Sequence, residues 1–119
     1  MKKEFLIIIL LLVLVLIVGA GCKEKVNYDE FAKCLTSKKV KMYGAYWCPH
    51  CAEQKKDFDN SWKYVNYVEC AVPGSGQTEV CLLENIRAYP TWDFNGERIE
   101  GKLSFEVLAE KSGCELSLT

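Results

Sequence analysis

Residues Phe5 to Val18 are fourteen consecutive apolar positions behind Lys2 and Lys3, with no polar residue between them. Nothing amphipathic interrupts the run, so it does not read as a buried core helix of the domain. Gly19, Ala20 and Gly21 follow it and lead into Cys22, the layout of a secretory signal with small residues before a cleavage point. Counted through Gly21 the stretch reaches 17 residues, the lower limit for crossing a bilayer. The chain therefore divides into a signal peptide or membrane anchor at 1–21, a short linker at 22–26 and a folded domain at 27–119. Lys2 and Lys3 place that domain on the extracytoplasmic side. Disulfides persist there.

From Asn27 the pattern becomes periodic. Asn27 and Glu30 have the spacing of a capping box, and Tyr28, Phe31 and Leu35 share a helical face, which predicts a helix over 27–37. Val40 to Trp47 is rich in β-formers and apolar nearly throughout, as in a central strand covered on both faces. Pro49 suits the first helical position, which makes Cys48 the N-cap of a helix running to about Asn60. Tyr64 to Glu69 reads as a strand, 71–76 as a loop, and Thr78 to Ile86 as a short helix with Val80, Leu83 and Ile86 inward. After Tyr89-Pro90, the segments Thr91–Phe94 and Glu97–Glu100 form a hairpin around Asn95-Gly96. Ser104 caps a last helix that Gly113 stops. The fold class is α/β, a central mixed sheet flanked by helices, without internal repeats.

Composition narrows the function. The 119 residues carry 15 basic and 16 acidic side chains, a net charge of −1, with no long run of one sign. Such a surface does not hold a polyanion, which excludes nucleic-acid binding. Seven Cys against one His is the unusual number.

Trp47-Cys48-Pro49-His50-Cys51 carries the chemistry. At a strand-to-helix junction the first sulfur lies over the free N–H groups and the positive end of the helix dipole, which favours the thiolate of Cys48 at neutral pH. Cys51, one turn further on and more buried, suits the resolving role. His50 beside the leaving thiolate would stabilise the reduced form and make the disulfide a stronger oxidant. Half a zinc site also uses Cys-x-x-Cys, but no second such pair exists and His50 is the only His. A purely structural Cys48–Cys51 bridge closes so small a ring that it restrains the unfolded chain little. No metal and no resident cofactor are expected.

The strand ending in Trp-Cys-x-x-Cys, the Tyr89-Pro90-Thr91 step before a hairpin and the terminal helix resemble a thioredoxin-fold domain over nearly all of residues 27–114. More closely, Phe31-Ala32-Lys33-Cys34-Leu35, Met42 to Cys51, Asn66-Tyr67-Val68-Glu69-Cys70 and Tyr89-Pro90-Thr91-Trp92 are similar to the thioredoxin-like domain that is fused to, or works with, bacterial and plant vitamin K epoxide reductase (VKOR) homologues. The Cys-Pro-His-Cys core is also that of DsbA-type periplasmic oxidases, which implies the oxidising direction. The resemblance implies that Pro90 is a cis-proline facing the Cys48–Cys51 pair; an X-Pro bond is otherwise mostly trans. It also implies that Tyr89 and Thr91, with Trp47 alongside, line a substrate groove. Where thioredoxins carry a buried acid, six residues before the first active Cys, this chain has Met42. Proton transfer at Cys51 then needs water or another group, with Glu53 as the candidate. Gly19-Ala20-Gly21-Cys22 resembles a bacterial lipoprotein processing site, which implies a lipid anchor on Cys22; an uncleaved anchor and release after cleavage are the alternatives.

With Cys22 and the Cys48–Cys51 pair set aside, four cysteines leave three pairings. Cys70 ends a strand and Cys81 lies across the 71–76 loop, so a Cys70–Cys81 bridge would staple that loop, as the resemblance also implies. Cys34 and Cys114 then pair by elimination, two buried free thiols being the alternative. The aromatics other than Trp47 read as core and surface residues, and Lys38-Lys39 and Lys55-Lys56 as solvated charges.

The expectation is a membrane-tethered, monomeric thiol–disulfide oxidoreductase acting on protein thiol substrates. Its re-oxidation would come from a separate VKOR-like integral membrane partner linked to quinone, because this chain shows no four-helix membrane domain of its own. A thioredoxin-type reductase and a soft-metal-binding module are the alternatives.

Overall fold

The architecture follows from two strands that are buried on both faces. In the computed structural model, which describes residues 1–18, 21, 26–74 and 76–117, β1 (Val40–Gly44) and β3 (Thr91–Phe94) lie at the centre of a four-stranded sheet. Its order is β2-β1-β3-β4, with β2 at Tyr67–Glu69 and β4 at Glu97–Glu100. β1 runs parallel to β2 and antiparallel to β3, and β3 is antiparallel to β4. The sheet is therefore mixed.

Alternation along β1 splits the core. Val40 and Met42 join a large cluster with Phe31, Leu35, Phe58, Trp92 and Leu108, while Tyr43 packs with Cys70, Cys81 and Ile86. Helices α2 (Asp29–Ser37), α3 (Pro49–Phe58) and α5 (Phe105–Ser112) feed the larger cluster. There Phe58 meets Phe105 edge-on with ring centres 4.8 Å apart. Gln54, fully buried, ties the layers together: its Oε1 accepts from Trp92 Nε1 (3.0 Å) and the Leu103 N–H (2.9 Å), and its Nε2 donates to the Leu103 carbonyl (3.0 Å). No buried side-chain nitrogen or oxygen among the described residues lacks a partner.

The hairpin and the last helix form where the sequence predicts them. Asn95 (φ 57°) and Gly96 (φ 110°) make the turn, and Asp93 accepts from the Gly96 N–H and pairs with Arg98. Ser104 accepts from the Val107 N–H, and Gly113 closes the helix with φ 73°.

Other boundaries differ, each for a physical reason. The capping box does not form: Asn27 Oδ1 accepts from the Asp29 N–H (2.8 Å), Glu30 turns to Lys33 (3.2 Å), and the Tyr28 N–H is taken by Ser61 Oγ (3.1 Å). The helix starts at Asp29 with Tyr28 as its N-cap, one residue later than the box requires. β1 stops at Gly44 rather than Trp47, because Glu69 and Thr91 are the last residues of β2 and the first of β3 that reach it. The strand expected from Tyr64 begins only at Tyr67, since a 3₁₀ helix, Asp59–Tyr64, follows α3. Helix α4 is Glu79–Leu83, and Val80 and Leu83 are exposed rather than inward; Cys81 and Ile86 are the buried positions. The Cys81 disulfide fixes which side of that short helix faces the core.

At the N-terminus α1 covers Lys2–Val18, with the apolar side chains from Phe5 to Val15 exposed. Among the described residues no helix is long and apolar enough to cross a membrane. Cys22, the expected lipid attachment point, lies outside the described residues.

Because Gln54 satisfies the buried Trp92 N–H and the partly buried Leu103 N–H and carbonyl, Gln54→Met should remove all three bonds at nearly constant volume. We expect a loss of about 2–3 kcal/mol, read as a lower urea midpoint at unchanged slope. An unchanged midpoint would contradict this role.

Candidate redox site

The site is assembled at the end of the sheet where β1 and β2 finish and β3 starts. Past Gly44 the Cys48 N–H bonds back to the Ala45 carbonyl (3.0 Å), and this turn leaves Tyr46 and Trp47 exposed. Cys48 is the N-cap of α3 in extended conformation, and Pro49 occupies the first helical turn, where no N–H is needed. The Cys51 N–H points at Cys48 Sγ (3.4 Å). An N-terminal amide of the helix is thus aimed at the first sulfur.

The segment before β3 closes the other side. Tyr89-Pro90 is a cis peptide bond, and Cys48 Sγ–H donates to the Tyr89 carbonyl at 3.5 Å. The Tyr89 ring meets Trp47 edge-on at 5.8 Å and is held by Gln77, which donates to Tyr89 Oη (2.5 Å) and to the Ile86 carbonyl (2.9 Å). Thr91 is buried, and its hydroxyl is committed to the Ala88 carbonyl (2.7 Å). The structure therefore brings Trp47, Cys48, Tyr89 and Pro90 together, and places Thr91 beneath them.

The two thiols are both free and both buried, Cys48 at 5% exposure and Cys51 at 1%. Cys51 fits only because Gly44 has no side chain. A Cβ on Gly44 would lie 2.9 Å from Cys51 Sγ and 2.9 Å from Tyr67 Cε2. Burial pushes the Cys51 thiol up to about 12, and the neighbouring Cys48 adds to this, while the Ala45 backbone and the Lys55 ammonium act in the opposite direction. Tyr67 donates its hydroxyl to Glu69 Oε2 (3.1 Å). Burial first, and then that bond to the carboxylate, raise the Tyr67 phenol above its ordinary range.

His50 and Glu53 do not take the positions expected of them. Both are exposed, and His50 Nδ1 lies 3.5 Å from Glu53 Oε2 on the outer side of α3. No hydrogen bond among the described residues joins His50 to Cys48, so any influence of its charge on the sulfur acts through space. Lys55 is not simply solvated: its ammonium sits 4.0 Å from the centre of the Tyr67 ring. Gly44, Tyr67 and Glu69 fall in stretches noted only for their resemblance, and neither they nor Gln77 are given a role in the site by the sequence. An isolated Gly inside a strand was the one available signal, since it marks a close approach.

The remaining described cysteines are bridged. Cys34 pairs with Cys114 (S–S 2.10 Å, Cα–Cα 5.9 Å), joining α2 to the residue after the Gly113 cap, and Cys70 pairs with Cys81 (2.05 Å, 5.6 Å) across the 71–76 loop. No cluster of three or more His, Cys, Asp or Glu able to hold a metal occurs among the described residues.

No family model matches the chain. It is 40% identical over 90 residues to the thiol-disulfide oxidoreductase LTO1 of Arabidopsis thaliana. The match covers 71% of this chain and 24% of the relative, so the chain spans about a quarter of the length of the curated protein it matches. The relative's name is the enzyme class that the Cys48–Cys51 pair predicts.

The Cys51 environment fixes a pH dependence. A thiol that titrates near 9.0 when free and near 12 when buried keeps its proton in the folded state after the unfolded chain has lost it. Its contribution to stability is complete below about pH 9 and is lost as pH rises toward about 12. With the two other disulfides intact and Cys48–Cys51 reduced, the native chain should therefore lose more stability than Cys51→Ala between about pH 8 and about pH 10. Parallel curves would show that Cys51 is not held in a desolvated site.

Proposed function

We propose that this chain is an extracytoplasmic, membrane-tethered thiol–disulfide oxidoreductase of the thioredoxin fold that exchanges disulfides with protein substrates through Cys48 and Cys51. The single observation that carries the reading is the seating of Cys48 Sγ between the Cys51 N–H in the first turn of α3 and the Tyr89 carbonyl beside cis-Pro90. A sulfur so placed has a helix end to stabilise its thiolate and an adjacent backbone edge for an incoming chain. The β2-β1-β3-β4 order, with the Cys-x-x-Cys helix following β1 and the cis-proline preceding β3, supports the thioredoxin reading of the fold.

In the oxidising direction a substrate thiolate attacks Cys48 of the Cys48–Cys51 disulfide. The new bond joins the substrate sulfur to Cys48, and Cys51 leaves with the electron pair and takes up a proton. A second substrate thiolate then attacks the substrate sulfur of that mixed disulfide and releases Cys48 as a thiolate. Two electrons have passed from the substrate dithiol to the enzyme. Exposed Tyr46 and Trp47 beside the sulfur offer an apolar shelf to an unfolded client chain. Pro49 starts the helix, and Tyr89 and Thr91 shape the groove, while His50, one residue beyond Pro49, acts on the leaving thiolate only through space.

The cycle closes when a quinone-linked, VKOR-like membrane oxidoreductase withdraws the two electrons. The apolar N-terminal segment, retained as an anchor or replaced by lipid on Cys22, keeps the monomeric domain near that partner and raises its effective concentration.

Cys51→Ala removes the resolving thiol and should trap mixed disulfides at Cys48. After acid quenching and alkylation of intact cells, reducible high-mass adducts of Cys51→Ala are expected, absent from Cys48→Ala/Cys51→Ala. If the Cys51→Ala chain runs only as an unmodified monomer, the exchange mechanism is wrong.

A further inference from the structure

Exchange at this site requires Cys51 to lose its proton before it attacks Cys48 and to regain one when it leaves. The surroundings make that transfer difficult. Cys51 is 1% exposed, and the strand beneath it offers Met42 and Gly44, neither of which can move a proton. Glu53, the carboxylate expected to help, is exposed and paired with His50.

The parallel pairing of β1 and β2 supplies an alternative. Its register sets Tyr67 opposite Met42 and Glu69 opposite Gly44. The Tyr67 ring crosses over Gly44 to the sulfur, so that a point 2.9 Å from Cys51 Sγ lies 2.9 Å from Tyr67 Cε2 and 3.3 Å from Tyr67 Oη. Tyr67 Oη donates to Glu69 Oε2 (3.1 Å), and that same carboxylate oxygen accepts from the Ala71 N–H (3.3 Å). Glu69 is partly exposed and so opens to solvent. Buried thiol, phenol, carboxylate and water thus follow one another in space.

We propose that Tyr67 and Glu69 form the proton path that serves Cys51. This rests on the exchange function proposed above and names residues for its least accessible step. When the enzyme is oxidised, the Cys51 proton passes to Tyr67 Oη, directly or through one water, as the Tyr67 hydroxyl proton moves to Glu69. The Cys51 thiolate then attacks Cys48: the Cys51–Cys48 bond forms, the bond from Cys48 to the partner sulfur breaks, and the partner leaves as a thiolate with the electron pair. When a substrate is oxidised the same path runs in reverse and returns a proton to Cys51. Tyr67 carries the proton as a hydroxyl and never persists as a phenolate, in keeping with the carboxylate it faces. The charged and titratable groups around Cys51 are Cys48 and Lys55 from α3 and Tyr67 and Glu69 from β2, while Gly44 of β1 adds none. The Lys55 ammonium, 4.0 Å from the Tyr67 ring centre, favours the thiolate as it forms.

The test uses the full chain in detergent with Cys22→Ser, so that Cys48 and Cys51 are the reacting thiols, mixed with excess 5,5′-dithiobis(2-nitrobenzoate). Cys48 releases a first thionitrobenzoate. Cys51 then resolves the Cys48 adduct and releases a second, in a phase that does not depend on reagent concentration. Tyr67→Phe and Glu69→Gln should each slow the second phase about tenfold or more near pH 7 and leave the first phase unchanged. The deficit should shrink as pH rises, because hydroxide takes the Cys51 proton directly and the thiol ionises unaided near about 12.

A second phase at the native rate in Glu69→Gln, or a slowing that stays constant with pH, would overturn the proton path. The unchanged first phase reports an intact Cys48 site, and Glu69→Gln, at a partly exposed position, decides the matter should Tyr67→Phe disturb that phase. If the parent protein itself releases no second thionitrobenzoate, the exchange function fails, and the proton path with it. That outcome is distinct from a normal parent with indifferent variants.

Discussion

Cys51 Sγ occupies the space that a side chain on Gly44 would fill, and the rest of the site is arranged around that close approach. Gly44 is the last residue of β1, its carbonyl accepts from the Cys70 N–H at 2.8 Å, and Cys70 is in turn bridged to Cys81. The strand end is thereby held at the depth where α3 begins. From that fixed point one helical turn separates Cys48 from Cys51, so the two sulfurs keep their relation without further support. On the opposite side the Tyr89 carbonyl and Trp47 are set by the cis-Pro90 step and by Gln77. Tertiary bonds, not loop chemistry alone, position every reacting group.

The same packing makes the two thiols chemically unequal. Cys48 has the Cys51 N–H of the helix end on one side and a backbone carbonyl on the other, at the edge of an exposed aromatic shelf. Cys51 has a glycine, an aromatic ring and little access to water, and its proton is correspondingly hard to remove. An enzyme that exchanges disulfides benefits from this asymmetry: one sulfur meets the partner, and the other leaves as the mixed disulfide forms and attacks to resolve it. The structure also separates stability from reactivity. Cys34–Cys114 and Cys70–Cys81 cross-link the frame away from the reacting pair, and the dense aromatic cluster around Phe58 and Trp92 is tied by Gln54.

Much of this was legible in the chain. Pro49 after Cys48, Asn95-Gly96, Ser104 and Gly113 are local signals whose backbone requirements leave few options, and the structure places turns and caps there. What stayed hidden depended on partners distant in sequence. The end of β1 at Gly44 is set by the lengths of β2 and β3, and the facing of α4 by a disulfide to Cys70. Within the site, Cys-x-x-Cys announced itself through spacing. Tyr67 and Glu69 lie in a stretch noted for its family resemblance but carry no catalytic signature there, and the parallel register of β1 and β2 is what brings them over Gly44.

Donation of a disulfide to substrates requires Cys48 and Cys51 to form an oxidising couple. The most direct measurement is the reduction potential of that couple in the purified chain, equilibrated against glutathione and read by thiol trapping. A disulfide donor should give a value of about −120 to −180 mV, the range of DsbA and the isomerases, whereas a value of about −270 mV, that of thioredoxin, would contradict donation and assign the site to reduction.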